Sequence, residues 1–123
     1  MIKNILIVDD SPISRKMLKS CIPRDRNYEF FEAGDGEEGL VKFKELKPDV
    51  TFMDLTMPIM DGATSLREIV AYDPEALVIV STADVQIKSL TNVLEIGAFL
   101  VLKKPPTKET IFDALTKAEE HRR

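Results

Sequence analysis

Cysteine and histidine are nearly absent from this 123-residue chain, each occurring once. A lone Cys21 closes no internal disulfide, and within an apolar helical pattern it reads as a buried, inert thiol. The single histidine, His121, sits in a polar terminal stretch and reads as solvated, so no phosphohistidine role fits the chain. Long apolar runs are missing too. "ILIV" at 5–8 is too short for a signal-peptide core, and no run of about 18 apolar residues exists to span a membrane. That absence predicts no membrane insertion and a cytoplasmic location. Nor is there a basic block: 17 Lys and Arg against 21 Asp and Glu leave a net charge of -4, which argues against direct nucleic-acid binding. No repeat, low-complexity stretch or linker interrupts the chain, and residues 1–123 are expected to form one domain.

What is present is an alternation of two patterns. Apolar runs of strand length recur at 5–8, 28–33, 50–53, 76–82 and 98–102, and several are continuously apolar, as strands covered on both faces should be. Helical periodicity fills the gaps. Ile13, Met17, Leu18, Cys21 and Ile22 share a face after Ser11-Pro12, where Ser is an N-cap and Pro suits the first helical position. Leu40, Phe43 and Leu46 mark a second helix ending at Pro48, and Leu66, Ile69 and Val70 a third ending before Pro74. Ile87, Leu90, Val93 and Leu94 mark a fourth that stops at Gly97 in an αL cap, and Ile111, Leu115 and Ala118 a fifth. Strands alternating with helices predict an α/β fold, a doubly wound five-stranded parallel sheet with five helices.

Ligands of such sheets bind beyond the carboxyl ends of the strands. The first strand ends there in Asp9-Asp10, the third in Asp54, the fourth in Ser81-Thr82 and the fifth in Lys103-Lys104. Two adjacent carboxylates repel unless a cation sits beside them. They point to opposite faces of an unbroken strand, so they converge only if the chain turns after Asp9, as Ser11-Pro12 allows. Mg²⁺ suits three acids, since it takes oxygen ligands and keeps several waters. An acid beside that ion, with a hydroxyl donor and an ammonium opposite, is what an entering phosphoryl group needs. By the same alternation only one of Lys103 and Lys104 reaches the crevice.

The chain resembles the receiver domains of two-component response regulators, in particular the single-domain chemotaxis type. The resemblance covers essentially the whole chain and rests on "LIVDDSP", "MDLTMPIMDG", "VSTAD" and "LKKP" in this order. It implies strand order 2-1-3-4-5, with Asp54 as phosphoacceptor. It further implies Mg²⁺ held by Asp9, Asp10, Asp54 and the Thr56 carbonyl, Thr82 as switch hydroxyl and Lys104 as phosphate-binding lysine before a cis proline. The implied partners are a sensor histidine kinase or phosphotransfer protein and a downstream effector that docks on the fourth helix, fifth strand and fifth helix. The resemblance also implies a domain that assists its own phosphorylation and slow dephosphorylation and is otherwise no enzyme. One position departs from the pattern. Three residues before the lysine the family usually carries Tyr or Phe, and here Val101 stands, with Phe99 expected on the same face two residues earlier.

Three other readings compete. "GDGEEG" at 34–39 matches a dinucleotide fingerprint, but Asp35, Glu37 and Glu38 crowd the helix start with negative charge where a pyrophosphate would sit. Those acids favour the helix dipole instead, with Asp35 as N-cap. A phosphohydrolase of the haloacid dehalogenase type needs an acid two residues after its nucleophile, and Thr56 is there. A degenerate receiver serving only as a docking module is disfavoured by the complete set of Asp9, Asp10, Asp54, Thr82 and Lys104.

Overall fold

Ile5–Val8 carries no polar side chain, and in the computed structural model, which describes residues 2–122 apart from 56, 58, 84 and 85, all four residues are buried. They belong to β1 (Asn4–Val8), the second strand of a sheet completed by β2 (Glu29–Ala33), β3 (Val50–Asp54), β4 (Val78–Thr82) and β5 (Leu100–Lys103). Every pairing is parallel and the order is β2-β1-β3-β4-β5. The α/β fold and strand order expected from the sequence are therefore those observed. The helices are α1 (Pro12–Cys21), α2 (Gly36–Leu46), α3 (Gly62–Tyr72), α4 (Ile87–Ile96) and α5 (Lys108–Arg122). A 3₁₀ turn at Arg24–Arg26, which the apolar pattern did not signal, leads into β2.

Alternation along the central strands sends side chains to two cores. Ile5, Ile7, Phe52 and Ile79 pack with Leu18 and Ile22 and with Ile111 and Leu115 of α5. Leu6, Val8, Met53 and Val80 pack with Phe43, Leu66, Ile69 and Val93 of α2, α3 and α4. Each fully buried large side chain contributes roughly 1.5–3 kcal/mol. Both faces are thus covered, which is why these strands read as unbroken apolar runs.

The caps follow the sequence reading. The Ser11 hydroxyl accepts from the Ser14 amide with Pro12 opening α1, and the Asp35 carboxylate accepts from the Glu38 amide at the start of α2. Gly97 does take positive φ after α4, but at 134° it lies outside the αL region expected for it. Two helical faces are narrower than expected. Ile13 and Met17 are 72% and 45% exposed, because the buried Leu18 and Ile22 lie one residue, roughly 100°, further round the helix. On α4 only Val93 is buried, while Ile87 and Leu94 face solvent. Cys21 is half-buried, not enclosed, with Sγ 3.7 Å from the Pro106 carbonyl. His121 is exposed but its ring stands 5.2 Å from that of Phe99.

Glycine is required where α3 begins. A Cβ on Gly62 would lie 1.9 Å from the Asp54 carbonyl oxygen and 2.6 Å from Leu55 Cα. The Gly62 amide donates to the Leu55 carbonyl at 2.9 Å, so α3 starts flush against the end of β3. Gly36 meets the same demand, since a Cβ there would fall 2.2 Å from the Met60 carbonyl oxygen, to which its amide donates.

Candidate functional site

Register brings the polar strand ends together. Val8 pairs with Met53 across β1 and β3, which sets Asp9, one residue further on, beside Asp54. Asp54 pairs with Ser81 and Thr82 with Lys103, so the next residue, Lys104, closes the row. The turn after Asp9 is also present, fixed by the Ser11 amide donating to Asp9 Oδ1 at 2.9 Å. As a result one carboxylate oxygen each of Asp9, Asp10 and Asp54 lies within 4.8 Å of the others.

Lys104 reaches into this trio and Lys103 does not. Lys104 Nζ donates to Asp9 Oδ2 at 2.8 Å and stands 3.3 Å from Asp54 Oδ1, while Lys103 is exposed. The Lys104–Pro105 peptide is cis. Asp9, Asp54, Ser81 and Thr82 are buried, and Asp10 is the exposed member of the trio. Thr56, whose carbonyl the resemblance assigns to the ion, lies outside the described residues.

Asp9, Asp54 and Lys104 form one wall of a cavity of about 310 Å³ whose other walls include Met17, Leu18, Phe52 and Pro106. That apolar lining has an electrostatic effect. Burial pushes the Asp54 carboxyl above the usual range, Lys104 pulls it back, and the charges of Asp9 and Asp10 raise it again. Burial draws the Lys104 ammonium down, yet its hydrogen bond to Asp9 and the fields of Asp54 and Asp9 outweigh this and its pKa is raised. Among the described residues the crevice thus sets three carboxylates against one lysine. An all-oxygen donor set of this kind fits a hard divalent cation.

At "GDGEEG" four of the amides are already engaged. Those of Gly34, Gly36, Glu38 and Gly39 donate to Glu38, Met60, Asp35 and Asp35 respectively. Those four amides are therefore not free to cradle a pyrophosphate. Val101 and Phe99 also separate. Val101 packs into the core under α2–α4, but Phe99 packs into the opposite one. The expected shared face is wrong because Phe99 precedes β5 and strand alternation does not extend to it.

Sequence reasoning passed over Arg15 and Glu32. Arg15 Nη1 donates to the Asp9 carbonyl at 2.5 Å, and its Nε pairs with Glu32 Oε1 at 2.7 Å. The available signal was an arginine one turn into the helix that follows the acidic pair, since helical side chains lean back toward the N-terminus.

A doubly wound sheet with acids, hydroxyls and one lysine along its carboxyl edge is a ligand-binding α/β domain of the flavodoxin-like kind. The family model described as the response regulator receiver domain matches residues 5–116, and the chain belongs to that family. It is 38% identical to the chemotaxis protein CheY of Thermotoga maritima over 118 residues, covering 96% of this chain and 98% of the relative. It is likewise 38% identical to the CheY of Listeria monocytogenes, covering 93% and 96%. Among solved structures, the CheX-CheY-BeF3-Mg²⁺ complex from Borrelia burgdorferi superposes with a TM-score of 0.89 at 31% identity, covering 95% of this chain and 89% of that one. The receiver assignment and its likeness to the chemotaxis type thus agree with the sequence reading. Among the described residues no helix is long and apolar enough to cross a membrane.

Proposed function

We propose that residues 1–123 form a phosphoryl-accepting switch of a two-component relay, located in the cytoplasm. The observation that carries this is Lys104 bridging Asp9 and Asp54 in a crevice where three carboxylates converge. An Asp54 carboxylate oxygen attacks the phosphorus of a phosphohistidine on a sensor kinase or phosphotransfer protein. The P–N bond breaks, the imidazole leaves with the bonding pair, and an aspartyl phosphate remains. Lys104 and the Thr82 hydroxyl receive the phosphoryl oxygens. Asp9, Asp10, Asp54 and the Thr56 carbonyl would hold Mg²⁺, which would supply positive charge to offset that of the phosphoryl group. Slow attack by water resets the switch, so the domain is not an enzyme that turns over an external substrate.

Phosphorylation alters affinity for an effector protein at α4, β5 and α5, where the exposed Ile87 and Leu94 offer apolar contact. With Val101 in place of an aromatic ring, the signal passes through Thr82 and the loops after β3 and β4. The relative solved with CheX, BeF3 and Mg²⁺ supports both a divalent ion and a protein partner. Intact-mass measurement after incubation with acetyl phosphate and Mg²⁺ tests the reading. One added phosphoryl group is expected, dependent on metal and lost in Asp54→Asn. No adduct with any phosphodonor would leave a docking module.

A further inference from the structure

Asp10 is exposed, and among the described residues no hydrogen bond or ion pair grips its carboxylate. Its position is therefore set by the backbone from which it projects, the peptide joining Asp9 to Asp10. The carbonyl of that peptide accepts the hydrogen bond from Arg15 Nη1. The Asp9 amide, on the other side, donates to the Ala33 carbonyl at 3.0 Å, so the turn is held from both directions.

Arg15 is itself tied down. Its Nε donates to Glu32 Oε1 on the edge strand β2, and Lys19 Nζ holds the second oxygen of that carboxylate at 2.8 Å. Lys42 of α2 donates to the Glu32 main-chain carbonyl. A guanidinium can serve the Glu32 carboxylate and the Asp9 carbonyl together because its donors lie in one rigid plane, which an ammonium cannot imitate.

We propose that Arg15 is a positioning residue for the divalent-metal site, bracing the Asp9–Asp10 peptide against Glu32 so that Asp10 faces Asp54. This rests on the metal reading given above. The sign of the effect separates it from plain electrostatics. Removing a cation near a metal site should tighten metal binding through Coulomb's law alone, whereas loosening the turn that carries a ligand should weaken it.

The test is Mg²⁺ affinity by titration calorimetry and Mn²⁺ affinity by electron paramagnetic resonance on the full chain, with urea unfolding measured alongside. Arg15→Ala is expected to weaken binding roughly tenfold, the scale of losing a group that orients a metal ligand. Arg15→Lys keeps the charge but loses the fork, and is expected to weaken binding as well. Glu32→Ala made in the Arg15→Ala background should add nothing further. Unchanged or tighter binding in Arg15→Ala overturns the proposal, as does wild-type affinity in Arg15→Lys or an additive effect of Glu32→Ala. If Arg15→Ala does not fold, Arg15→Lys decides alone. Wild type that binds neither ion would sink the metal reading itself and this inference with it, an outcome distinct from normal binding that ignores Arg15.

Discussion

Two clusters built from the same functional groups flank the carboxyl end of β1, in opposite proportions. On the β3 side, Lys104 pairs with Asp9 and Asp54, and Asp10 completes the carboxylate trio. On the β2 side, Arg15 and Lys19 share Glu32. The acids respond in opposite directions. Burial first, then the other acids, raises Asp54, whereas the hydrogen bond from Lys19 first, then that from Arg15, lowers Glu32. A carboxylate cluster short of cations is a place where another cation or an electrophile is welcome. One with cations in excess is saturated and holds backbone in place.

The largest expected break in this contrast comes from Lys104→Met. Leaving three carboxylates without their ammonium should cost roughly 2–3 kcal/mol in urea unfolding, somewhat less than for a fully buried pair because of partial exposure. Millimolar Mg²⁺ should narrow the deficit. Wild type itself should gain about 1.4 kcal/mol when Mg²⁺ is present at about tenfold its Kd, read as a shift in Tm. Asp54→Asn should act in reverse, raising stability by about 1 kcal/mol at pH 7 without divalent ions. Its folded pKa is raised, so the burden grows as pH climbs from the unfolded pKa to the folded one and is complete above it, and the gain should vanish on acidification below the unfolded value. Lys19→Ala should be the smallest, at most about 1 kcal/mol, indifferent to Mg²⁺ and diminished by salt. The contribution of Glu32 is present above its unfolded pKa and fades as pH falls through the depressed folded value, opposite to Asp54. Equal stability losses for Lys19→Ala and Lys104→Met would erase the distinction.

Much of this was legible in the residues. Unbroken apolar strands, Ser11-Pro12 and the acids at strand ends are local signals, so fold class, the N-terminal caps of α1 and α2 and the convergence of Asp9, Asp10 and Asp54 with one of Lys103 and Lys104 could be read before any coordinates. The misreadings share a cause. Ile13 and Ile87 carry helical periodicity but lie at the margin or outside of the buried stripe, and periodicity does not say how wide that stripe is. Phe99 was assigned by extending alternation past the end of a strand. Arg15 and Glu32 are 17 residues apart, and only parallel pairing of β1 with β2 brings them into contact. A charged pair made by tertiary structure leaves no spacing in the sequence to find.

The fit of Gly62 against Asp54 has a mechanical meaning. With no room for even one methyl group between the Asp54 carbonyl and the first residue of α3, the joint between the end of β3 and that helix has no clearance. Gly36 abuts the Met60 carbonyl in the same way, which ties α2 to the loop that leads into α3. Parts fitted without slack transmit displacement instead of absorbing it. A shift of the Asp54 backbone by more than a few tenths of an ångström has to be passed on as motion of α3.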